Sequence, residues 1–144
     1  MANVYTEKNR VEREAIAALC DRLTDADMDR PVGTAGWTIG GILCHLAFYD
    51  QRAHLLLEKW KREGITPSPN DVDLVNEAMR PLFNAARPEE VRKLVPAMAH
   101  AVDAAIDGLT SEMLARVEKE GAAVRLSRAL HREHHRAQIE AALA

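Results

Sequence analysis

A chain of 144 residues, 47% apolar and 28% charged, has the balance of one globular domain, expected to span residues 1–144. Its net charge of −3 and the lack of a basic stripe exclude a protein built to hold a nucleic-acid backbone. No apolar run approaches the roughly 18 residues of a membrane span and no apolar leader opens the chain, so a soluble, cytoplasmic protein is expected.

Glycine (7) and proline (6) are sparse while Ala, Leu, Glu and Arg are plentiful, which favours helix throughout. Thr6 is placed to cap a first helix running to about Leu23, with Val11, Ala15, Ala18, Leu19 and Leu23 at helical spacing. Thr24–Met28 follows as a short helical turn, then Pro31, Val32 and Gly33 as a loop. Thr38 caps a second helix, Ile39 to about Glu63, and Trp37 stands where a residue packs back on the helix it precedes. Between Ile39 and Leu57 this helix is apolar on nearly every side, the mark of a buried helix. Its polar exceptions, His45, Asp50 and Arg52, therefore need partners.

Gly64–Asn70 is the clearest connector. Asp71 opens a shorter helix to about Ala86, carrying Val72, Val75, Met79, Leu82 and Phe83, and Pro81 is expected to kink or divide it. Pro88 with Glu89 and Glu90 starts a third long helix, which runs to about Leu109 with a bend at Pro96 and His100 on the solvated side. Leu109–Met113 reads as another short turn, and Gly121 separates it from a last helix, Ala122 to Leu143. Strand signals are essentially absent. Four long helices with one long connection predict an all-α four-helix bundle, with Asp71–Ala86 as an extra segment. Cys20 and Cys44 lie in apolar helical patterns, without the close spacing of a metal knuckle or redox pair, and are expected to be reduced core thiols.

The chemistry concentrates in the last helix, at His131-Arg132-Glu133-His134-His135-Arg136-Ala137-Gln138. His131 and His135 stand four apart, so they share one face with Cβ atoms roughly 6 Å apart and can share one metal ion. A third ligand must come from another helix, and His45 is the candidate. His45 lies roughly 10 Å into the second helix and His135 roughly 12 Å from the end of the last, depths that match if the two helices are adjacent and antiparallel. Arg128, Arg132 and Arg136 recur every four residues and read as a solvated flank. Neutral imidazole suits zinc, nickel, copper or iron(II), and three protein ligands with an open position mark a catalytic site. The order His-Arg-Glu-His-His fits neither His-Glu-x-x-His nor its inverse. No Glu precedes a His by three residues, which argues against a di-iron carboxylate bundle.

Trp37-Thr38-Ile39-Gly40-Gly41-Ile42-Leu43-Cys44-His45-Leu46 resembles the Trp-Ser/Thr-…-His-Leu segment of the DinB-like superfamily. His131-x-x-His134-His135-Arg136-Ala137-Gln138-Ile139 resembles its closing His-x-x-His-His-Arg-Gly-Gln-Ile, with Ala137 in place of the glycine. The resemblance spans the chain in order and spacing. It implies a bundle of up-down-down-up topology with a long crossover between the second and third long helices, a homodimer, and a metal triad of His45, His131 and His135. His134 points about 100° away from His135, toward Leu126 and Leu130, and is read as packing or support rather than ligation. Gln138 and Tyr49 lie near the metal face, to orient ligands or substrate or simply to line it. Arg52 is expected to pair with Asp50 or another nearby acid, with a substrate carboxylate as the alternative.

The resemblance further implies a metal-dependent thiol transferase or isomerase, related to mycothiol-dependent maleylpyruvate isomerase and bacillithiol transferases. Zinc or nickel would be its metal, a low-molecular-weight thiol its cosubstrate and a small electrophile its substrate. The competing expectation is a small-molecule or stress-linked binding bundle without turnover, or a histidine cluster that only satisfies its own core. No nucleic-acid or membrane partner is expected.

Overall fold

Helix ends in this chain are written by local chemistry, and most fall where capping residues put them. The computed structural model describes residues 2–144. Among these the elements are α1 (Thr6–Arg22), α2 (Asp25–Met28), β1 (Pro31–Val32), β2 (Trp37–Thr38), α3 (Ile39–Glu63), α4 (Val72–Asn84), α5 (Pro88–Asp107), α6 (Ser111–Glu120) and α7 (Arg128–Leu143). The chain is all-α apart from one antiparallel ribbon, in which Pro31 pairs with Thr38 and Val32 with Trp37. That ribbon corrects the expectation of a plain loop. Gly33 and Gly36 close it at positive φ, 65° and 86°, where a side chain would be strained.

Thr24 and Asp27 form a reciprocal capping box that starts α2. Asp71 and Thr110 cap α4 and α6 through their side chains. Thr6 is not a cap: its hydroxyl accepts from the Asn3 N–H and donates to Asp107, tying the start of α1 to the end of α5. Pro81 and Pro96 lie inside helices that continue on both sides, so neither divides its helix. The second short turn is a helix of 10 residues, α6.

Long-range pairs set the helix directions. Thr6 meets Asp107, Arg13 meets Asp103 and Leu23 meets Arg92, so α1 and α5 are antiparallel. Asn9 meets Ala129, Glu12 meets Arg136 and Arg22 meets Glu140, so α1 and α7 are parallel. His45 meets His131 while Asp50 meets Arg128, so α3 and α7 are antiparallel, the arrangement that the helix depths favoured.

Two apolar clusters build the core. One joins Ile16, Leu19 and Cys20 of α1 to Ile39, Leu43 and Leu46 of α3, Val91 of α5 and Ile139 of α7. The other joins Leu57 and Trp60 of α3 to Val102 and Ile106 of α5, Val117 of α6, and Val124 and Leu126 before α7. Between them runs a belt of buried polar residues: Asn9, His45, Asp50, Asp103, Arg128, Arg132 and His135. On α1 the buried stripe runs through Asn9, Ile16 and Leu19, and Val11, expected in the core, is exposed. Cys20 is a buried free thiol and Cys44 a half-buried one; burial pushes the two thiols up to about 12 and about 11. Among the described residues no helix is long and apolar enough to cross a membrane.

Candidate metal centre

The site begins with the clamp that starts α3. Thr38 accepts from the Gly41 N–H at 3.0 Å and caps the helix. Its own N–H and hydroxyl donate to Oδ1 of Asn84, both at 3.1 Å, and Asn84 Nδ2 donates to the Gly36 carbonyl at 2.7 Å. The end of α4 thus grips the start of α3, and His45 stands two turns further on. Trp37 meets the ring of His45 edge-on at 5.8 Å while packing against the first apolar cluster.

The last helix starts at Arg128, not at Ala122. Residues 122–127 form an irregular segment because Val124 and Leu126 turn into the second apolar cluster. The ligand spacing is unaffected. His131 and His135 project from one face of α7 toward His45, and Nε2 of His131 lies 3.0 Å from Nε2 of His45 and 3.1 Å from Nε2 of His135. One donor nitrogen from each of the three lies within 4.8 Å of the others. His45 and His135 are buried, at 7% and 9% exposure, and His131 is half-buried.

These distances fit a metal ion. An imidazole nitrogen either donates one hydrogen bond or accepts one. Nε2 of His131 faces two other nitrogens with one lone pair or one hydrogen, so at most one of its two contacts is a well-directed hydrogen bond. A cation at the common focus satisfies all three lone pairs. Tetrahedral zinc with Zn–N near 2.05 Å separates its nitrogen ligands by roughly 3.3 Å, close to the spacing here.

The surroundings also keep the rings neutral, as ligation requires. Burial first, then repulsion from His135, holds His45 down to about 4, offset in part by Asn76. Burial, then His135, His45, Arg128 and His134, hold His131 down to about 2. Burial also lowers His135, against its hydrogen bond to Gln138. Gln138 Oε1 sits 2.7 Å from Nδ1 of His135. The exposed side chain of His134 leans edge-on against His135 with ring centroids 4.9 Å apart, at the rim rather than in the apolar stripe expected for it.

A cavity of about 900 Å³ opens beside the histidines, lined by Tyr49, Arg52, the 66–70 connector, Asn76 and the 122–127 segment. Tyr49 rests on His45 with ring centroids 5.0 Å apart; its hydroxyl donates to Asn76 at 3.0 Å and accepts from Asn70 at 3.2 Å. Arg52 corrects its expected pairing with Asp50. It donates to the Ala123 carbonyl at 3.3 Å and to the Ser68 carbonyl and hydroxyl at 2.9 and 3.1 Å, all uncharged acceptors. Asp50 is taken instead by Arg128, at 2.9 Å, and Arg132, at 3.3 Å. The solvated arginine flank is therefore overturned: Arg128 and Arg132 are 6% and 1% exposed. Only Arg136 keeps a surface role, pairing with Glu12 and Glu140.

Asn70 and Asn76 were not among the expected site residues, because nothing in their local sequence distinguishes them from connector and surface positions. The buried network had one visible signal, the uncompensated Asp50 in an apolar helix, and its partner lies 78 positions along the chain.

No curated protein and no solved structure matches the chain. A family description does, that of the mycothiol maleylpyruvate isomerase N-terminal domain, over residues 10–142. With a helical fold, a capped His45 helix and three histidines converging on one point, the chain belongs to this family, a branch of the DinB-like superfamily.

Proposed function

We propose that His45, His131 and His135 hold one divalent transition metal, zinc or nickel, and that the protein transfers a low-molecular-weight thiol to a small electrophile or isomerises it. The convergence of three neutral Nε2 atoms at 3.0 and 3.1 Å carries this reading. The metal, when bound, supplies positive charge that favours the thiolate form of a small thiol. Gln138 holds the His135 ring so that Nε2 faces the centre. Tyr49, its hydroxyl fixed by Asn70 and Asn76, walls the centre beside His45. Arg52 presents to the cavity a guanidinium with no carboxylate partner among the described residues, where it attracts an anionic group of thiol or substrate.

The same reading takes the chain as a single domain over 1–144, with α1, α3, α5 and α7 as an up-down-down-up bundle, which the directions of the long-range pairs support. It also takes the protein as a cytoplasmic homodimer. A groove of about 620 Å³ between α3 and α5, lined by Phe48, Leu55, Leu94 and Met98, supports the dimer, since Leu55 and Leu94 are 57% and 39% exposed.

Metal analysis of the purified protein beside His45→Ala and His131→Ala tests the centre. Stoichiometric zinc or nickel in the wild type, lost in both variants, is expected. A wild type with no affinity for either metal overturns it. Thiol consumption against a panel of electrophiles then separates an enzyme from a binding protein.

A further inference from the structure

We propose that Asp50 is a positioning residue for the three-histidine centre, acting through Arg128 and Arg132 to hold α3 and α7 in register; this rests on the metal reading above. Arg128, His131, Arg132 and His135 follow one another at spacings of three, one and three, a single stripe of α7. Two of them point at the metal focus and two at Asp50, five residues beyond His45 on α3. The carboxylate of Asp50, 3% exposed, receives Nε of Arg128 on one oxygen and Nη2 of Arg132 on the other. One acid therefore grips α7 on both sides of His131.

Arg132 extends the grip to every long helix. Its guanidinium donates to Asp103 at 2.9 Å twice and to the Ala99 carbonyl at 3.4 Å, both on α5, and to the Asn9 carbonyl of α1 at 3.1 Å. Arg13 adds a second α1 contact on Asp103. Three arginines thus share two acids inside the fold.

Buried ion pairs add little stability compared with apolar residues of the same volume, because desolvation consumes most of the attraction. What this one supplies is registry. A slip of one residue between α3 and α7 moves a ligand by about 1.5 Å, three times the roughly 0.5 Å that a metal constellation tolerates. The apolar clusters on either side resist such a slip through close packing but make no directional bond across α3 and α7. A bidentate acid does.

Asp50→Asn tests the proposal, with Leu57→Ala as control: Leu57 is fully buried on the same helix but belongs to the other apolar cluster. Zinc affinity is read by competition with a chromophoric chelator and site geometry by the visible spectrum of bound cobalt(II). Asp50→Asn is expected to weaken zinc at least tenfold and to alter the cobalt spectrum. Leu57→Ala, despite an equal or larger loss of urea midpoint, should stay within twofold with an unchanged spectrum. Zinc binding within twofold of wild type in Asp50→Asn, or equal weakening by Leu57→Ala, overturns the positioning role alone. A wild type that binds neither zinc nor nickel overturns the metal reading itself. The register is then decided by histidine ring resonances of the metal-free protein, expected to shift in Asp50→Asn and not in Leu57→Ala; unshifted rings in Asp50→Asn overturn it. If Asp50→Asn does not fold, Arg128→Lys replaces it under the same criteria, since lysine keeps the charge and loses the Nε contact.

Discussion

His135 donates from Nδ1 to the side-chain carbonyl of Gln138, 2.7 Å away and one turn along α7, which leaves Nε2 as the nitrogen that faces His131 and His45. A hydrogen bond to the distal nitrogen fixes both tautomer and ring rotation. Gln138→Ala is expected to weaken zinc binding by about 10- to 100-fold, the usual cost of losing such a partner. Chelator competition measures it. Affinity unchanged in the variant would show that the ring is held by its packing alone.

The pH dependence of the metal-free fold has a definite sign. His45 titrates near 6.5 when unfolded and near 4 when folded, so between these values the unfolded chain binds a proton that the fold refuses. Stability is fully present above pH 6.5 and falls as pH drops toward 4. Burial lowers His131 and His135 as well, which reinforces the slope. For His45 alone the loss by pH 4 is on the order of 3 kcal/mol. Urea midpoints measured from pH 8 to pH 4 should decline from about pH 6.5 downward. A flat profile to pH 5 contradicts the depressed histidines.

Replacing Gly41 by alanine should destabilise the protein although alanine is the better helix former. A Cβ there collides with Oδ1 of Asn84, which is fixed by Thr38 and Gly36. The expected cost is about 2 kcal/mol, typical of overpacking, with the Asn84 clamp broken. Thermal unfolding of Gly41→Ala beside Gly41→Ala/Asn84→Ala checks the cause, because the second change removes the obstacle and should recover part of the loss.

Leu94→Arg places a charge in the exposed groove between α3 and α5. If two copies meet there, sedimentation equilibrium will show a wild-type dimer and a monomeric variant with an unchanged helical spectrum. An equally dimeric variant moves the interface elsewhere.

The histidine meeting was legible because a helix has a fixed rise: depths of His45 and His135 along their helices already matched for an antiparallel pair. Thr38, Asp71 and Pro88 fixed three helix starts for the same reason, that capping is local chemistry. The start of the last helix was not legible, since Ala122–Leu126 has good helical composition and is pulled out of helix by the burial of Val124 and Leu126. Arginines at every fourth position look solvated on any wheel. That Arg128 and Arg132 face inward depends on Asp50 and Asp103, acids on other helices whose approach no local pattern records.

Arg52, Ser68 and Ala123 join the connector after α3 to the irregular segment before α7, and these two non-helical stretches form one side of the cavity. The histidines and the charges behind them belong wholly to helices. Under the proposed function the metal ligands would be wholly helical, while the cavity wall is shared between the loops and Tyr49, Arg52 and Asn76 of α3 and α4. The loops supply nine residues of the lining, Thr66 to Asn70 with Ala122, Ala123, Arg125 and Ser127, and these can change while every imidazole stays in place.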